Sequence, residues 1–109
     1  MGQVVLLHAD ECWPPHKVSR SEQVCQLEEQ FRVEGWGAGY PNLVGYPWEG
    51  RIQLLNGSHR WAAANQIHMP VPVVVVSYEQ VEQAWGNLEE WQQIMQLGDC
   101  DAVASKSTA

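Results

Sequence analysis

"RIQLLNGSHRWAAANQIHMPVPVVVV", residues 51–76, changes its apolar period twice and thereby decides the fold. Ile52 and Leu54 alternate with polar neighbours, as in a strand with one face buried. Asn56-Gly57-Ser58 is turn chemistry. The alanine-rich segment that follows predicts a helix to about Ile67, with side chains small enough for close packing on a sheet. His68-Met69-Pro70 ends it, and Val71–Val76 is an almost unbroken β-branched run. Such a run predicts a strand covered on both faces.

The flanks extend this pattern. "NLVGY" (42–46) reads as a strand and "PWEG" (47–50) as a turn, so that with "RIQLL" they form a hairpin. "QVVLL" (3–7) reads as a further strand, and "HADECWPPHK" (8–17) as a loop held by Pro14 and Pro15. Ser19, with Glu22 three residues on, predicts a capping box. Val24, Leu27 and Phe31 then form one helical stripe, which Gly35 stops. "GWGAGYP" (35–41) is a glycine-rich connection too short to separate domains.

Downstream, Ser77 and Gln80 predict a second capping box, opening a helix with Val81, Ala84 and Trp85. Gly86-Asn87 interrupts it before an acidic amphipathic helix with Leu88, Trp91 and Ile94 or Met95. The order of elements predicts one α+β domain over residues 1–97, a compact mixed sheet with packed helices and an extra C-terminal helix. Residues 98–109 are expected to be a flexible tail.

Composition narrows the function. The net charge is −7, and residues 61–105 contain six acids and no Lys or Arg. A broad basic face for a phosphate backbone is therefore not expected, whereas a small basic anion pocket is compatible. Three cysteines, an odd number at wide spacing, argue against a disulfide framework and for free thiols in a reducing cytoplasm. His8, Cys12 and His16 lie four residues apart, but Pro14-Pro15 breaks any helix that would align them, and no metal site is expected. Neither a secretory leader nor an apolar run of membrane-spanning length is seen.

The helix mouth carries the chemistry. A helix start presents N–H groups without intrahelical partners and the positive end of the dipole, both of which favour an anion. Asn56 or Ser58 can cap the helix, Gly57 permits close backbone approach, and His59 and Arg60 add donors. Arg60 has the geometry to hold a phosphate or carboxylate through two parallel bonds. On the residues alone, a well-capped helix with an internally paired Arg60 is an equal reading.

The context resembles the ParB/sulfiredoxin-like superfamily over about residues 4–83. The matching features are the helix ending at Gly35, the strand "NLVGY", the Gly-Ser-His-Arg turn after a hairpin strand, the alanine-bearing helix and the "VPVVVV" strand. That family includes CTP-binding partition proteins, a free-serine kinase, sulfiredoxin and ParB-like nucleases. The resemblance implies a nucleotide phosphate site at Asn56, Gly57, Ser58, His59 and Arg60, with ATP or CTP and Mg²⁺ as the ligand. His16, Lys17 and Arg20 fall where relatives place further ligand contacts, and Glu11 or Glu22 is the acid to consider as a catalytic base. Ser58 stands where sulfiredoxins keep a cysteine, so sulfinic-acid reduction is not expected. Ser58 and His59 also replace the metal-holding acid of the partition proteins.

Two alternatives stand beside nucleotide binding. One is a DNA-binding or nuclease module of a phage or plasmid, which the charge disfavours. The other is a non-enzymatic acidic adaptor or inhibitor that binds a partner protein through Glu79, Glu82, Glu89, Glu90, Trp85 and Trp91. Trp36, Tyr40, Tyr46, Trp48 and Trp61 bracket the helix mouth, and each either fills the core or stacks on a base.

Overall fold

Val71–Val75 (β5) lies inside a five-stranded sheet, as its unbroken β-branched run requires. The computed structural model describes residues 3–18, 21–36 and 40–99. Its other strands are β1 (Gln3–Leu7), β2 (Cys12–Trp13), β3 (Leu43–Trp48) and β4 (Arg51–Leu54). Their spatial order is β1-β5-β3-β4-β2. β5 runs antiparallel to β1 and parallel to β3, β3 and β4 form the expected hairpin, and β2 adds in parallel to β4. The sheet is therefore mixed and the domain α+β, with four α-helices among the described residues.

Period-2 alternation sorts the core into two layers. Leu43, Leu54, Val71 and Val73 face one side of the sheet, with Cys12 and Ala64. On that side lie α1 (Glu22–Glu34) and α2 (Ser58–Gln66), packed together through Val24, Phe31 and Ala63. Val44, Val74 and Val76 face the other side, where α3 (Tyr78–Ala84) and α4 (Leu88–Gln96) supply Val81, Ala84 and Ile94. The acidic C-terminal helix thus covers this chain's own sheet.

Local signals explain most boundaries. Ser77 accepts from Gln80 N while the Gln80 side chain accepts from Ser77 N, the reciprocal pair of a capping box. Asn87 caps α4 by accepting from Glu90 N. Three expectations need correction. The cap of α1 is Ser21, whose Oγ accepts from Val24 N; Ser19 lies outside the described residues. Residues 8–17 are not all loop: Ala9–Glu11 form a 3₁₀ turn, and Cys12–Trp13 extend the sheet because β4 offers them a free edge. Pro47 and Trp48 belong to β3, so the hairpin turn is only Glu49-Gly50, with both residues at positive φ. At the C-terminal end, Gly98 is buried and its carbonyl accepts from Asn42 N. Residues 100–109, most of the expected tail, lie outside the described residues.

Trp61, one of the bracketing aromatics, packs against the core and donates Nε1–H to Ala9 O at 2.7 Å. Trp36 stacks on Phe31 at 5.1 Å.

Cys12 is 1% exposed, and burial, reinforced by Glu11 and Asp10, pushes its thiol up to about 11. Iodoacetamide at pH 8 is therefore expected to alkylate Cys12 at least a hundredfold more slowly than the half-buried Cys25, read by peptide mass mapping. The raised value also sets a sign for stability. The protonated thiol is the form the fold favours, so its contribution is full below the ordinary thiol range and is lost as pH rises towards 11.

Candidate functional site at the mouth of α2

The turn from β4 into α2 is built around Gly57, the N-cap residue, at φ 79° and ψ 33°. Only glycine adopts this left-handed conformation without steric cost. A Cβ there would also stand 2.1 Å from Leu43 Cδ2. Neither expected side-chain cap forms. Asn56 turns the other way, and its Oδ1 accepts from Val44 N at 3.0 Å, closing the gap between the turn and β3. Ser58 is already the first helical residue and makes no cap bond. The first intrahelical bond runs from Trp61 N to Gly57 O. The N–H groups of Ser58 and His59 and the Ser58 hydroxyl have no hydrogen-bond partner among the described residues.

These groups border a pocket of about 470 Å³. Residues 55–60 form one wall, and His16, Gln23, Leu27 and Tyr40 come from the first loop, α1 and the 35–41 connection. All five residues expected at the helix mouth, and His16, thus meet at one cavity. Lys17 is exposed and does not line it, and Arg20 lies outside the described residues. Tyr40 is one of the bracketing aromatics, whereas Gln23 carries no signal in the sequence. Gln23 and Leu27 are four residues apart on α1, a spacing that faces both towards α2, but Leu27 reads as ordinary core in the sequence. Tyr40 is fixed by its hydroxyl, which donates to the Gln30 side chain.

Arg60 departs from the phosphate clamp expected of it. Its Nη1 donates to Pro41 O at 2.7 Å, and its Cζ sits 5.6 Å from the Trp36 ring centre. Nη2 lies beneath Gly57, 3.2 Å from where a Cβ would stand. A guanidinium matches a carbonyl and an aromatic face as readily as a phosphate, and here the 35–41 connection supplies both. Arg60 still borders the pocket, so its charge acts there while the guanidinium is engaged. Glu28, buried on α1, is engaged and not orphaned.

Among the described residues, the lining contains no carboxylate. Glu11 accepts from His8 N and borders a separate cavity beside Trp48 and Arg51, and Glu22 begins α1 without lining the pocket, although its neighbour Gln23 does. Neither acid is placed as a base here. Among the described residues no three His, Cys, Asp or Glu side chains cluster as a metal cage. No described helix is long and apolar enough to cross a membrane.

No protein-family model matches the chain, and no curated protein matches it in sequence. Solved structures match it in fold. Sulfiredoxin from Arabidopsis thaliana superposes with a TM-score of 0.57 at 15% identity, covering 74% of this chain and 94% of that one. The C-terminally truncated chromosome-partitioning protein ParB from Caulobacter crescentus, complexed with CTP-γ-S, gives 0.53 at 21% identity, over 73% of this chain and 47% of that one. A free serine kinase in complex with AMP gives 0.52 at 21% identity, over 67% and 30%. The chain spans nearly all of sulfiredoxin but less than half of the two nucleotide-bound proteins. At these identities the likeness is one of architecture: the chain has a ParB/sulfiredoxin-like fold.

Proposed function

We propose that this domain binds a small phosphate-bearing ligand, a nucleotide, with the phosphate at the mouth of α2. The observation that carries the reading is the uncapped helix start at Ser58 and His59, opening into a pocket with a hydroxyl and two imidazoles at its border. N–H groups left without partners at a helix start are the usual cradle for a phosphate. Two proteins of the same fold, solved with CTP-γ-S and with AMP, support the choice of ligand class. Tyr40 offers a ring at the pocket wall for the base.

With no carboxylate among the described lining residues, Mg²⁺ would arrive on the phosphates. AMP affinity is therefore expected to be insensitive to EDTA. The test is calorimetric titration with AMP, CTP and ATP, with and without Mg²⁺, on wild type and on Ser58→Asp. A carboxylate at residue 58 competes with the ligand for the same N–H groups, as acidic side chains do at helix starts. It should weaken binding at least tenfold while costing less stability than Arg60→Ala, since Ser58 is buried but borders the open pocket. Absence of heat with every nucleotide up to millimolar concentration would overturn the reading.

A further inference from the structure

On the opposite side of the sheet, the α3–α4 pair leaves apolar side chains in solvent. Val81, Ala84 and Ile94 cover the sheet, but Trp85 and Leu88, at the turn between the helices, are 77% and 72% exposed. Trp91 stands edge-on to Trp85 at 6.0 Å. With Ala84, Gly86 and Asn87 these three line a groove of about 420 Å³ that is almost wholly apolar. A contiguous apolar groove of this kind, rimmed by polar residues, marks an interaction surface more often than scattered exposed leucines do.

The charges beside these residues in the chain are of one sign. Glu82, Glu89 and Glu90 are exposed, Glu90 accepts from Asn87 Nδ2, and residues 61–105 contain no Lys or Arg. The described cations lie elsewhere: Lys17, Arg32 and Arg60 on the first loop, α1 and α2, and Arg51 over the Trp13 ring at 4.3 Å. We infer that the Trp85–Leu88–Trp91 groove docks a basic segment of a partner protein, one that places a bulky apolar side chain between the tryptophans and Lys or Arg on the glutamates.

Two other occupants fit less well. A second copy would set the same acidic charges against each other, since a two-fold interface is self-complementary. The chain's own residues 100–109, "CDAVASKSTA", offer no apolar side chain larger than Val103 and a single lysine offset by an aspartate. The groove lies across the sheet from the pocket at α2, so the inference does not depend on nucleotide binding.

The experiment is a random-peptide display selection on the full chain, with Leu88→Ser as counter-selection. Selected peptides are then synthesised and titrated by fluorescence anisotropy. The expected consensus is a Trp, Phe or Leu flanked by at least two Lys or Arg. Affinity should fall at least tenfold in Trp85→Ala and in Leu88→Ser, and severalfold in the double variant Glu89→Lys/Glu90→Lys. It should also weaken between 50 and 500 mM salt, conditions chosen to screen the glutamate charges. Trp85 and Leu88 stand in solvent, so their variants should melt with the wild type; the charge variant gives the same readout should either fail to fold. No selected peptide, a neutral or acidic consensus, or binding indifferent to Leu88→Ser would overturn the inference. A dimer in sedimentation that Trp85→Ala abolishes would assign the groove to a second copy instead. A red shift of tryptophan emission on removing residues 100–109 would assign it to the tail.

Discussion

Gly57→Ala is expected to lower the melting temperature by about 10–40 °C, measured by circular dichroism or calorimetry. Two costs combine. A left-handed backbone costs a residue with a Cβ about 1–2 kcal/mol, and the φ at this position is 79°. The new methyl also meets Leu43 Cδ2 at 2.1 Å, within a layer where Leu43 is wholly buried. Overpacking of this kind adds about 1–3 kcal/mol. Together they come to about 2–5 kcal/mol, and each kcal/mol moves a domain of this size by about 4–8 °C.

The two costs can be separated. Leu43→Ala removes the atom that clashes, at the expense of a cavity worth about 2–5 kcal/mol by itself. In the double variant the clash is gone, so the losses should sum to less than the two singles by about 1–3 kcal/mol, the overpacking share. Strict additivity would show that Leu43 moves aside freely and that only the backbone conformation demands glycine. The glycine then has one structural role in the turn and not two.

The places where sequence reasoning succeeded share a property: the determining groups are near in the chain. The Ser77–Gln80 box closes within one turn, and both its bonds are present. The run at 71–76 demands cover on two faces, and β1 and β3 flank it while helices close both sides. The failures share the opposite property. Cys12–Trp13 has no strand signal and pairs only because the β4 edge, some forty residues away, is there to receive it. Asn56 has the chemistry of a cap, yet Val44 N, a buried backbone donor of β3, has first claim on its oxygen. Gln23 enters the pocket wall through the packing of α1 on α2, which no local pattern near the Gly-Ser-His-Arg turn announces. Helix-mouth residues were therefore legible as a group, while the direction of each side chain was not.

Arg60 makes that distinction measurable. Its guanidinium bonds the Pro41 carbonyl, lies over Trp36 and sits beneath Gly57, tying α2 to the connection between α1 and β3. A hydrogen bond from a charged donor contributes about 1.5–3 kcal/mol, and a guanidinium over an indole about 0.5–1 kcal/mol more. Arg60→Ala should accordingly destabilise the domain by about 2–4 kcal/mol, or about 10–30 °C in melting temperature. Nucleotide affinity, titrated well below that temperature, should weaken as well, because the floor under the turn is lost. Arg60→Lys keeps the charge but not the fork that reaches carbonyl and ring together, and should recover only part of the stability. The comparison with Ser58→Asp is decisive. That variant is expected to lose ligand with the smaller loss of stability, whereas Arg60→Ala loses stability and ligand together. An Arg60→Ala protein that melts within about two degrees of wild type but no longer binds nucleotide would mean that Arg60 turns outward to hold the phosphate itself, and that its bond to Pro41 is the resting arrangement of a mobile side chain.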